Sequence, residues 1–502
     1  MKARLMYREN DFDLDQPAPP LAHHVIQDLE LTTLFSAMAA GDTSLADIAR
    51  KAIMASTADV DSILYRQAIL QDCLAQEGVV RSMYELAVET LTAERKNYFS
   101  LSMRSPGWVL HRSVEVMEML AGKLRRLRAI ADQHAGSFSS EGFRTMFLML
   151  QRELDDQYFA LIRQHLKQLK FAQGTLISAR LGEGNKGTEY VLRQPNQPQG
   201  NWFQRMFASG SPDFTFRLHP RDEAGARALS ELQDRGINLV ANALAQSVEH
   251  IVAFFNMLRI ELAFYVGCLN LRVALARRGA PFCLPVPCPA DERQHQALGI
   301  YDVCLALTMD GQVVGNDIHG DGKNLVIITG ANRGGKSTFL RGIGLAQMMM
   351  QCGMFVPANA FRANVAERIL THYKREEDAT MESGKFDEEL RRMDAIADHL
   401  IPNALVLFNE SFAATNEREG SEIASQIVRA LTDQGVKVFF VSHQYEFARV
   451  FHAQQRPDIL FLLAERQADG TRTFRLHEGA PLPTSFGQDL YRRIFAPAAG
   501  AE

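Results

Sequence analysis

Apolar positions recur every three or four residues over much of the chain, which predicts helices. The pattern is helical almost throughout residues 21–181, and a break at Gly41-Asp42-Thr43 is followed by Ser44, a residue type that often caps helices. A second helical pattern runs over residues 222–278 without a proline. Since periodic patterns much longer than about 25 residues suggest a spanning or lever-like helix, we expect one long helix here, either straight or with one kink.

Two short stretches between these helical regions, 189–193 and 214–218, predict strands. The polar segment between them contains Trp202, Phe203, Arg205 and Phe207. Aromatic residues interleaved with arginine could stack on nucleic-acid bases, but a small loop that packs on itself is the simpler interpretation. After residue 281 strand and helix patterns alternate, which predicts an α/β domain.

These patterns divide the chain into four predicted segments. They are a helical region (1–181), a small β and loop insertion (182–221), a long helix (222–280) and an α/β domain (281–502). A length of 502 residues is ample for more than one hydrophobic core.

Composition and charge favour a soluble protein of the reducing cytoplasm. The chain is 46% hydrophobic and 23% charged, and its net charge of −5 gives no bulk attraction to nucleic acid. Residues 1–16 lack the apolar core of a secretory signal. The most membrane-like window, 251–275, is interrupted by Arg259, Glu261 and Arg272, so we interpret it as a buried helix and expect no membrane association. Six scattered cysteines favour free thiols over a metal site.

The most basic cluster of the helical region is Lys123-Leu124-Arg125-Arg126-Leu127-Arg128. A solvated helix face is the simpler interpretation, and a face that contacts phosphates is the alternative. The pair His23-His24 has no companion ligands nearby in sequence, and we expect it on the surface.

The strongest chemical signal is an apolar run at 325–328 that leads into Gly330-x-x-x-x-Gly335-Lys336-Ser337. Glycines allow backbone N–H groups to converge on phosphate oxygens, and the following helix N-terminus adds partial positive charge. A lysine here can reach the β- and γ-phosphates, and a serine hydroxyl suits Mg²⁺. The strand–loop–helix context favours a nucleoside triphosphate site over a glycine-rich turn without a ligand. The predicted ATP-binding residues are Gly330, Ala331, Asn332, Arg333, Gly334, Gly335, Lys336, Ser337 and Thr338.

Two further apolar strands end in polar residues. The run 404–408 is followed by Asn409 and Glu410, and the run 438–441 leads to Ser442 and His443. Enzymes with a phosphate loop place a carboxylate that supports Mg²⁺ and a second carboxylate that activates water after such a strand. Glu410 suits the second role, and Asn409 fills the first with an amide. His443 suits a γ-phosphate sensor better than a core histidine. The order of these strands is that of ABC-type ATPases.

These motifs together resemble the ATPase domain of the MutS family of DNA mismatch-repair proteins. The matching positions are Asn316-Asp317, Thr329 with Gly330, Asn332 and the Gly334–Thr338 run, Phe355-Val356-Pro357-Ala358, Glu410, Thr415, Gly420, Ser442-His443-Gln444-Tyr445-Glu446 and Ser485-Phe486-Gly487. The resemblance is most specific for segment 281–502. The helical region and the long helix also resemble the core and lever domains of the family, with weaker motifs.

The resemblance implies an α/β P-loop (ABC-type) ATPase domain at the C-terminus, preceded by an all-α core, a small β insertion and a long lever helix. It implies a homodimer that closes around ATP and Mg²⁺, with Glu410 and His443 as catalytic residues. Ser337 and Asn409 would support the metal, Asn409 from its second coordination shell. It also implies binding of mismatched or structured DNA during repair of DNA damage, with other repair proteins as further partners.

The chain departs from the family pattern at several positions. Ala331 and Arg333 replace a proline and a methionine of the phosphate loop, and Asn409 replaces an aspartate. The signature serine that completes the partner's ATP site should lie in segment 380–386, where we favour Ser383, while an ungapped count from Glu410 selects Gly384.

The helical pattern begins so early that we expect no mismatch-reading domain before it, and no Phe-x-Glu wedge precedes it. The insertion at 182–221 is also too small for a full DNA clamp. The resemblance therefore carries over the ATPase cycle, whereas it leaves open whether mismatches are recognised. Two alternatives to a DNA-dependent ATPase are a nucleotide-switched protein–protein scaffold and a pseudo-ATPase that binds ATP without hydrolysing it.

Overall fold

A computed structural model of the chain describes residues 1–96, 105–172, 174–193, 217–219, 221–375 and 384–483, and its fold is mixed α/β. The described helices are α1 (Ala22–Asp28), α2 (Leu31–Ala39), α3 (Thr43–Met54), α4 (Val60–Ala75), α5 (Glu77–Lys96), α6 (Pro106–His134), α7 (Glu141–Glu153), α8 (Asp156–Leu169), α9 (Glu223–Ala276), α10 (Val303–Thr308), α11 (Lys336–Gln351), α12 (Lys385–Ala397), α13 (Glu417–Asp433) and α14 (Tyr445–His452). The described strands are β1 (Leu176–Leu181), β2 (Gly187–Arg193), β3 (Val286–Cys288), β4 (His295–Ile300), β5 (Asn316–His319), β6 (Leu325–Gly330), β7 (Ala360–Asn364), β8 (Ile369–Tyr373), β9 (Leu405–Asn409), β10 (Lys437–Val441), β11 (Ile459–Arg466) and β12 (Arg472–Glu478).

The helical prediction for residues 21–181 is confirmed as far as α8, and two local details differ. The cap of α3 is Asp42 rather than Ser44, because the Asp42 carboxylate accepts the N–H groups of Ser44 and Leu45 at 2.9 and 3.2 Å. The stretch Leu176–Leu181 is a strand, because it pairs antiparallel with β2. The predicted strand 189–193 is therefore confirmed, but its partner precedes it in sequence.

The second predicted strand, 214–218, and the aromatic segment beginning at Trp202 lie wholly or mostly outside the described residues. The two described residues of that predicted strand, Arg217 and Leu218, are not in a strand. The resemblance motif Ser485-Phe486-Gly487 also lies outside the described part of the chain.

The chain forms two compact units whose limits differ from the four predicted segments. One unit comprises Met1–Ala3, Arg81–Phe138 and Arg144–Arg259, and the other comprises Arg4–Val80, Ser139–Phe143 and Ile260–Glu502. The physical reason is that α1–α4, predicted to belong to the helical region, are part of the second unit, in which α1 contacts β8 and α4 contacts β3. Helix α9 contributes residues to both units.

The first unit combines helices with the β1–β2 hairpin. A two-stranded hairpin is marginally stable by itself in water, so it needs a packing partner. That partner is the first part of α9, where Gly236 lets the helix backbone approach Ile177. A Cβ atom at Gly236 would lie 2.5 Å from Cδ1 of Ile177, so alanine at this position would force the hairpin away.

The basic cluster of α6 is largely engaged in contacts within the first unit. Lys123 and Arg126 both form ion pairs with Glu89. Arg128 pairs with Asp132 at 2.8 Å and also donates to the backbone carbonyl oxygens of Gln151 and Leu154. These contacts favour the interpretation of the cluster as a solvated helix face.

The second unit is built on two sheets. The larger sheet has the strand order β12-β11-β6-β10-β9-β8, and all neighbours in it are parallel except β12 and β11. Strand β6 is buried at every residue, which explains its continuous apolar sequence. The smaller sheet has the order β3-β7-β4-β5. Because the larger sheet is parallel, the polar residues that follow β6, β9 and β10 lie at one edge.

Helix α9 is a single helix of 54 residues, as the uninterrupted pattern predicts. It is the one described helix that is long and apolar enough to cross a membrane, but 72% of its most apolar window is buried in the protein. This burial is typical of the core helix of a soluble protein. The six cysteines are all free, and five of them are buried.

The pair His23-His24 is not a surface pair, contrary to the prediction. His23 is exposed, but His24 is partly buried and its Nδ1 atom accepts from Nη2 of Arg375 at 2.5 Å. Burial, reinforced by the charge of Arg375, lowers the pKa of His24 to about 3. The sequence could not reveal this contact, because Arg375 lies far away in the chain.

The N-terminal segment is attached to α9 by a buried carboxylate. Glu261 is fully buried and accepts the backbone N–H groups of Leu5 at 2.6 Å and Phe12 at 3.1 Å. Burial raises the pKa of this carboxyl to about 7 from its usual 4.5, although the two N–H donors oppose the shift. Glu261, which interrupts the apolar window of the sequence, is therefore bound by backbone N–H groups of the N-terminal segment.

We expect the stability of the protein to depend on pH through Glu261. Because the folded pKa is raised, this group's contribution is fully present below about pH 4.5 and is lost as the pH rises through 7. The free energy of unfolding should fall by up to about 3 kcal/mol between pH 5 and pH 8 from this group. The free energy of unfolding, measured with urea across this pH range, should depend less on pH for Glu261→Gln than for the wild type. The control is Glu249→Gln, an exposed position on the same helix. Equal pH slopes for wild type and Glu261→Gln would contradict the prediction.

Candidate functional site

A tight loop joins β6 to α11 at the edge of the larger sheet. Gly330 and Gly335 at its two ends have φ angles of 105° and 89°, and Arg333 between them has a φ of 58°. A Cβ atom at Gly330 would lie 2.8 Å from the backbone nitrogen of Ala464 on β11, so no larger residue fits. Gly335 is the N-cap of α11 and brings no side chain, so the first-turn N–H groups of this helix remain available to an anion.

Lys336 is the first residue of α11 and its side chain folds back over the loop. Its Nζ atom donates to the carbonyl oxygens of Gly330 at 3.1 Å and Ala331 at 3.0 Å, and the residue is 5% exposed. Burial lowers the pKa of Lys336, the charge of Glu410 opposes this shift, and Arg472 adds to it. The ammonium group is therefore held where an anion in the loop would stabilise its charge.

Ser337 and Asn409, the two residues predicted to support a metal, are brought together. The Ser337 hydroxyl donates to Oδ1 of Asn409 at 2.8 Å. Hard divalent cations such as Mg²⁺ prefer oxygen ligands and usually keep phosphate and water oxygens in their coordination. The described residues contain no group of three His, Cys, Asp or Glu side chains suited to a metal. A hydroxyl with an amide oxygen behind it nevertheless fits a cation whose other ligands are phosphate and water.

We expect Asn409→Asp to lower the Mg²⁺ concentration needed for half-maximal ATP hydrolysis. A carboxylate beside Ser337 restores a charged acceptor, worth about 1.5–3 kcal/mol, which corresponds to about 10- to 100-fold in metal binding. The measurement is the ATPase rate across a Mg²⁺ titration. The control is Asn416→Asp, because aspartate caps a helix as well as asparagine does and Asn416 is the N-cap of α13. An unchanged Mg²⁺ dependence of Asn409→Asp would exclude this side chain from the metal's surroundings.

Glu410 and His443 follow neighbouring parallel strands and meet at the same edge of the sheet. Glu410 adopts a left-handed backbone conformation with φ of 53°, and its N–H donates to the carbonyl oxygen of Val441 at 2.9 Å. The Nδ1 atom of His443 lies 4.0 Å from Oε2 of Glu410. Both side chains remain partly exposed, at 33% for Glu410 and 39% for His443, so water and a ligand can reach them.

A cavity of about 430 Å³ connects the loop with Glu410. Its wall includes seven of the nine predicted ATP-binding residues. These residues are Asn332, Arg333, Gly334, Gly335, Lys336, Ser337 and Thr338. Gly330 and Ala331 contribute instead through the carbonyl oxygens that bind Lys336.

Apart from Glu410 and Asn316, the rest of the cavity wall comes from residues to which the sequence analysis assigned no role at the site. They are mainly apolar or aromatic and come from several segments: Tyr301, Asp302, Leu305, Met309, Val313, Val314, Phe339 and Phe474. Such a wall suits the flat face of a nucleobase. The signal in sequence was weak, because these residues come from separate segments and form no contiguous motif.

Phe474 is the most informative of the missed residues. It lies on β12 with a φ of 59°, and its side chain is 49% exposed. Asn316, which carries part of the family resemblance, fixes this strand: its Nδ2 donates to the Phe474 carbonyl at 3.1 Å, and its Oδ1 accepts the Leu476 N–H at 2.7 Å. In the sequence, Phe474 is an aromatic residue between the polar residues Thr473 and Arg475, and this pattern could have identified it.

The fold does not decide between the two candidates for the signature position. Ser383 lies outside the described residues. Gly384 is the N-cap of α12, with an extended backbone conformation. Because it precedes a helix start, this position can also present first-turn N–H groups to an anion. Both candidates stay predictions.

Two models of protein-family domains match separate parts of the sequence. Residues 58–278 match the model of the MutS2 N-terminal domain, and residues 326–499 match the model of MutS domain V. The second match contains the phosphate loop, Glu410 and His443.

Curated relatives agree with the family models. The DNA mismatch repair protein MutS of Synechococcus sp. (strain CC9902) is 25% identical over 374 residues, which cover 72% of this chain and 40% of that protein. The protein of the same name from Desulforamulus reducens is 31% identical over 35% of this chain and 22% of its own length. That of Thermotoga neapolitana is 31% identical over 46% of this chain and 29% of its own length. The chain thus spans less than half the length of these relatives.

Proposed function

Because the chain belongs to the MutS family, we propose that it is an ATP hydrolase that works as a nucleotide-gated dimer in DNA repair. The observation that carries the proposal is the cavity in which Lys336, Ser337 and Glu410 meet. The cavity combines an anion-binding loop, a buried ammonium and a carboxylate open to water. These are the groups that phosphoryl transfer to water requires.

The residues of the loop would bind and orient the triphosphate. The backbone N–H groups of the loop and of the first turn of α11 supply donors, and Lys336 exchanges its two carbonyl partners for phosphate oxygens. Ser337 would hold Mg²⁺, with Asn409 behind it, and the bound ion would neutralise charge on the β- and γ-phosphates. Phe474 and the apolar wall would hold the base.

Glu410 would act as the general base. Its carboxylate lines the same cavity as the loop and can accept a proton from a water molecule placed there. His443, whose Nδ1 atom lies 4.0 Å from that carboxylate, would contact the γ-phosphate or the attacking water. A second subunit would complete each site with the segment around Ser383 and Gly384, so closure of the dimer would accompany ATP binding.

The proposed role in DNA repair rests on the relatives and not on the geometry of the site. The three relatives described above are named DNA mismatch repair proteins, and the chain covers 22% to 40% of their lengths. We propose DNA with a mismatched or branched structure as the partner, other repair proteins as further partners, and the cytoplasm as the location. Three basic side chains of the α6 cluster form ion pairs within the protein, so we expect the DNA-binding surface elsewhere in the chain.

A pseudo-ATPase or a nucleotide-switched scaffold is the alternative function, and Asn409 is the observation that favours it. An amide at the end of β9 removes one negative charge from the surroundings of the metal. Weaker metal support would slow turnover while leaving the phosphate contacts of the loop in place. Such a protein would still close on ATP and could present a surface to another protein.

The deciding experiment is the rate of phosphate release by the purified chain. The rate is measured without DNA and with duplex, mismatched and branched DNA at several salt concentrations, with Lys336→Ala as the control for contaminating ATPases. Turnover that DNA stimulates in a salt-sensitive manner supports the proposal. Turnover without any response to DNA favours the scaffold, and ATP binding without phosphate release favours the pseudo-ATPase.

A further inference from the structure

The short helix α10 forms part of the apolar wall of the cavity. Leu305 lies in this helix, Met309 is its C-cap and Asp302 is its N-cap, and all three line the cavity. Oδ1 of Asp302 accepts the backbone N–H groups of Cys304 at 2.9 Å and Leu305 at 3.0 Å. A helix of six residues is too short to persist by itself in water. The position of α10 in the wall therefore depends on what holds its N-cap.

Arg341 on α11 holds the second oxygen of this N-cap. Its Nε atom donates to Oδ2 of Asp302, whose side chain is fully buried, and its Nη1 atom forms an ion pair with the partly exposed Glu30. Burial raises the pKa of the Asp302 carboxyl, and the charge of Arg341 opposes this shift. Because it is costly to remove the partner of a buried charge, loss of Arg341 should displace Asp302 and with it the start of α10.

The backbone of α11 also approaches the start of α10 closely. A Cβ atom at Gly342 would lie 3.2 Å from the carbonyl carbon and oxygen of Tyr301 and 3.4 Å from the backbone nitrogen of Asp302. On the same helix Arg341 follows Ser337 by four residues, a distance of about 6 Å along the helix axis. Helix α11 therefore sets the spacing between the phosphate loop and the side chain that holds α10.

The turn between α1 and α2 anchors the outer end of Arg341. Glu30 lies in this turn in a left-handed backbone conformation, with φ of 53°. The thiol of Cys304 on α10 donates to the carbonyl oxygens of Leu29 at 3.8 Å and Glu30 at 3.4 Å. The same turn thus binds α10 directly and α11 through Arg341. All of these residues belong to the second compact unit.

We propose that Arg341 is a positioning residue for the base side of the cavity, the wall that contains Leu305 and Met309, and that it acts through Asp302. This inference rests on the proposed function, in which the loop binds the triphosphate and the apolar wall holds the base. Arg341 is not among the described residues that line the cavity. Its loss should therefore weaken the binding of a nucleotide and leave the binding of inorganic tripolyphosphate, which has no base, unchanged.

Calorimetric titration of the full chain with two ligands in the presence of Mg²⁺ tests this division of the cavity. The ligands are a non-hydrolysable ATP analogue and inorganic tripolyphosphate. We expect Arg341→Met to bind the analogue about 10- to 100-fold more weakly, the effect of losing the packing of one apolar side chain, and to bind tripolyphosphate as the wild type does. Lys336→Ala should weaken both ligands, which checks that tripolyphosphate binds in the loop. The matched control is Arg272→Met, which removes an arginine of the same unit that pairs with Glu77, and it should change neither affinity.

Two further variants separate the pairing with Arg341 from the cap and from folding. Asparagine caps a helix as well as aspartate does, so Asp302→Asn keeps the cap of α10 and removes the charge that pairs with Arg341. It should show the same selective loss, and the double variant should lose no more than the weaker-binding single variant, because both changes remove one interaction. Glu30→Gln changes a side chain that is 52% exposed, so it tests the outer anchor without a buried substitution. We expect a selective loss of about 2- to 5-fold, the size of a surface ion pair.

The outcomes distinguish failure of this inference from failure of the proposed function. Equal loss of both ligands in Arg341→Met, no loss of either, or fully additive losses in the double variant overturns the inference. If the buried variants do not fold, an unchanged affinity of Glu30→Gln for the analogue overturns it as well. A wild type that binds the analogue but not tripolyphosphate would also contradict it, because the loop would then not bind phosphates independently of the base. A wild type that binds neither ligand would instead refute the proposed function itself.

Discussion

Replacing Glu410 with glutamine is expected to slow ATP hydrolysis by about 10²–10⁴-fold, the usual effect of losing a general base. Glutamine keeps the shape of the side chain and loses its strength as a proton acceptor. ATP binding should survive, because the phosphates would be held by the loop backbone, Lys336 and Mg²⁺. Removing a negative charge from the cavity that Glu410 shares with the loop should tighten ATP binding slightly.

Slow hydrolysis in a dimer closed by ATP means slow reopening, so the closed state should accumulate. We expect the Glu410→Gln variant to elute as a stable dimer with ATP and Mg²⁺ and to return to its nucleotide-free size with ADP. Size-exclusion chromatography with light scattering measures this directly. The matched control is Glu446→Gln, which removes an exposed carboxylate paired with Arg449 at 2.8 Å. The same profile with ATP, with ADP and without nucleotide would refute nucleotide-gated closure and favour a static scaffold.

Replacing Lys336 with alanine is expected to abolish turnover and to weaken ATP binding by about 10- to 100-fold, the effect of losing a hydrogen bond from a charged donor. The ammonium is buried in the loop and donates to the carbonyl oxygens of Gly330 and Ala331. Its charge is thus already positioned for a phosphate before a ligand arrives. Arg333 also lines the cavity, but it belongs to the loop itself and cannot replace a side chain that spans it.

The fold should survive this substitution. Alanine is the best helix former and Lys336 is the first residue of α11, so the helix loses nothing by propensity. Calorimetric titration with ATP measures binding, and thermal unfolding checks the fold. Lys323→Ala is the control, because Lys323 lies just before β6, at the opposite end of that strand from the loop, and donates to the Pro457 carbonyl. If Lys336→Ala bound ATP as tightly as wild type, the loop would not be the nucleotide site.

Much of the candidate site could be predicted because its residues are contiguous or follow recognisable strands. The phosphate loop is one short stretch whose glycines, lysine and serine have fixed physical roles. Glu410 and His443 each follow an apolar run, and parallel strands bring such residues to one edge of the sheet. The long helix α9 was equally accessible, since an unbroken helical pattern needs no knowledge of its neighbours.

The rest could not be predicted because it depends on which distant segments meet. Phe474 reaches the cavity only because β12 lies at the edge of the sheet and Asn316 holds its backbone. Strand β1 resembled a helix because its short pattern is ambiguous until its pairing with β2 is known. His24 looked like a surface residue because its partner, Arg375, lies far along the chain.

The sequence by itself determined the family, the phosphate loop, the acidic strand end and the long helix, since each is encoded by consecutive residues or by a local period. The tertiary structure alone decided that residues 4–80 belong to the same compact unit as the C-terminal sheets and that Arg341 contacts both Asp302 and Glu30. The physical reason is that burial and charge pairing are properties of neighbours in space. A carboxylate at the start of a short helix has no distinctive pattern until the guanidinium group that pairs with it is placed beside it.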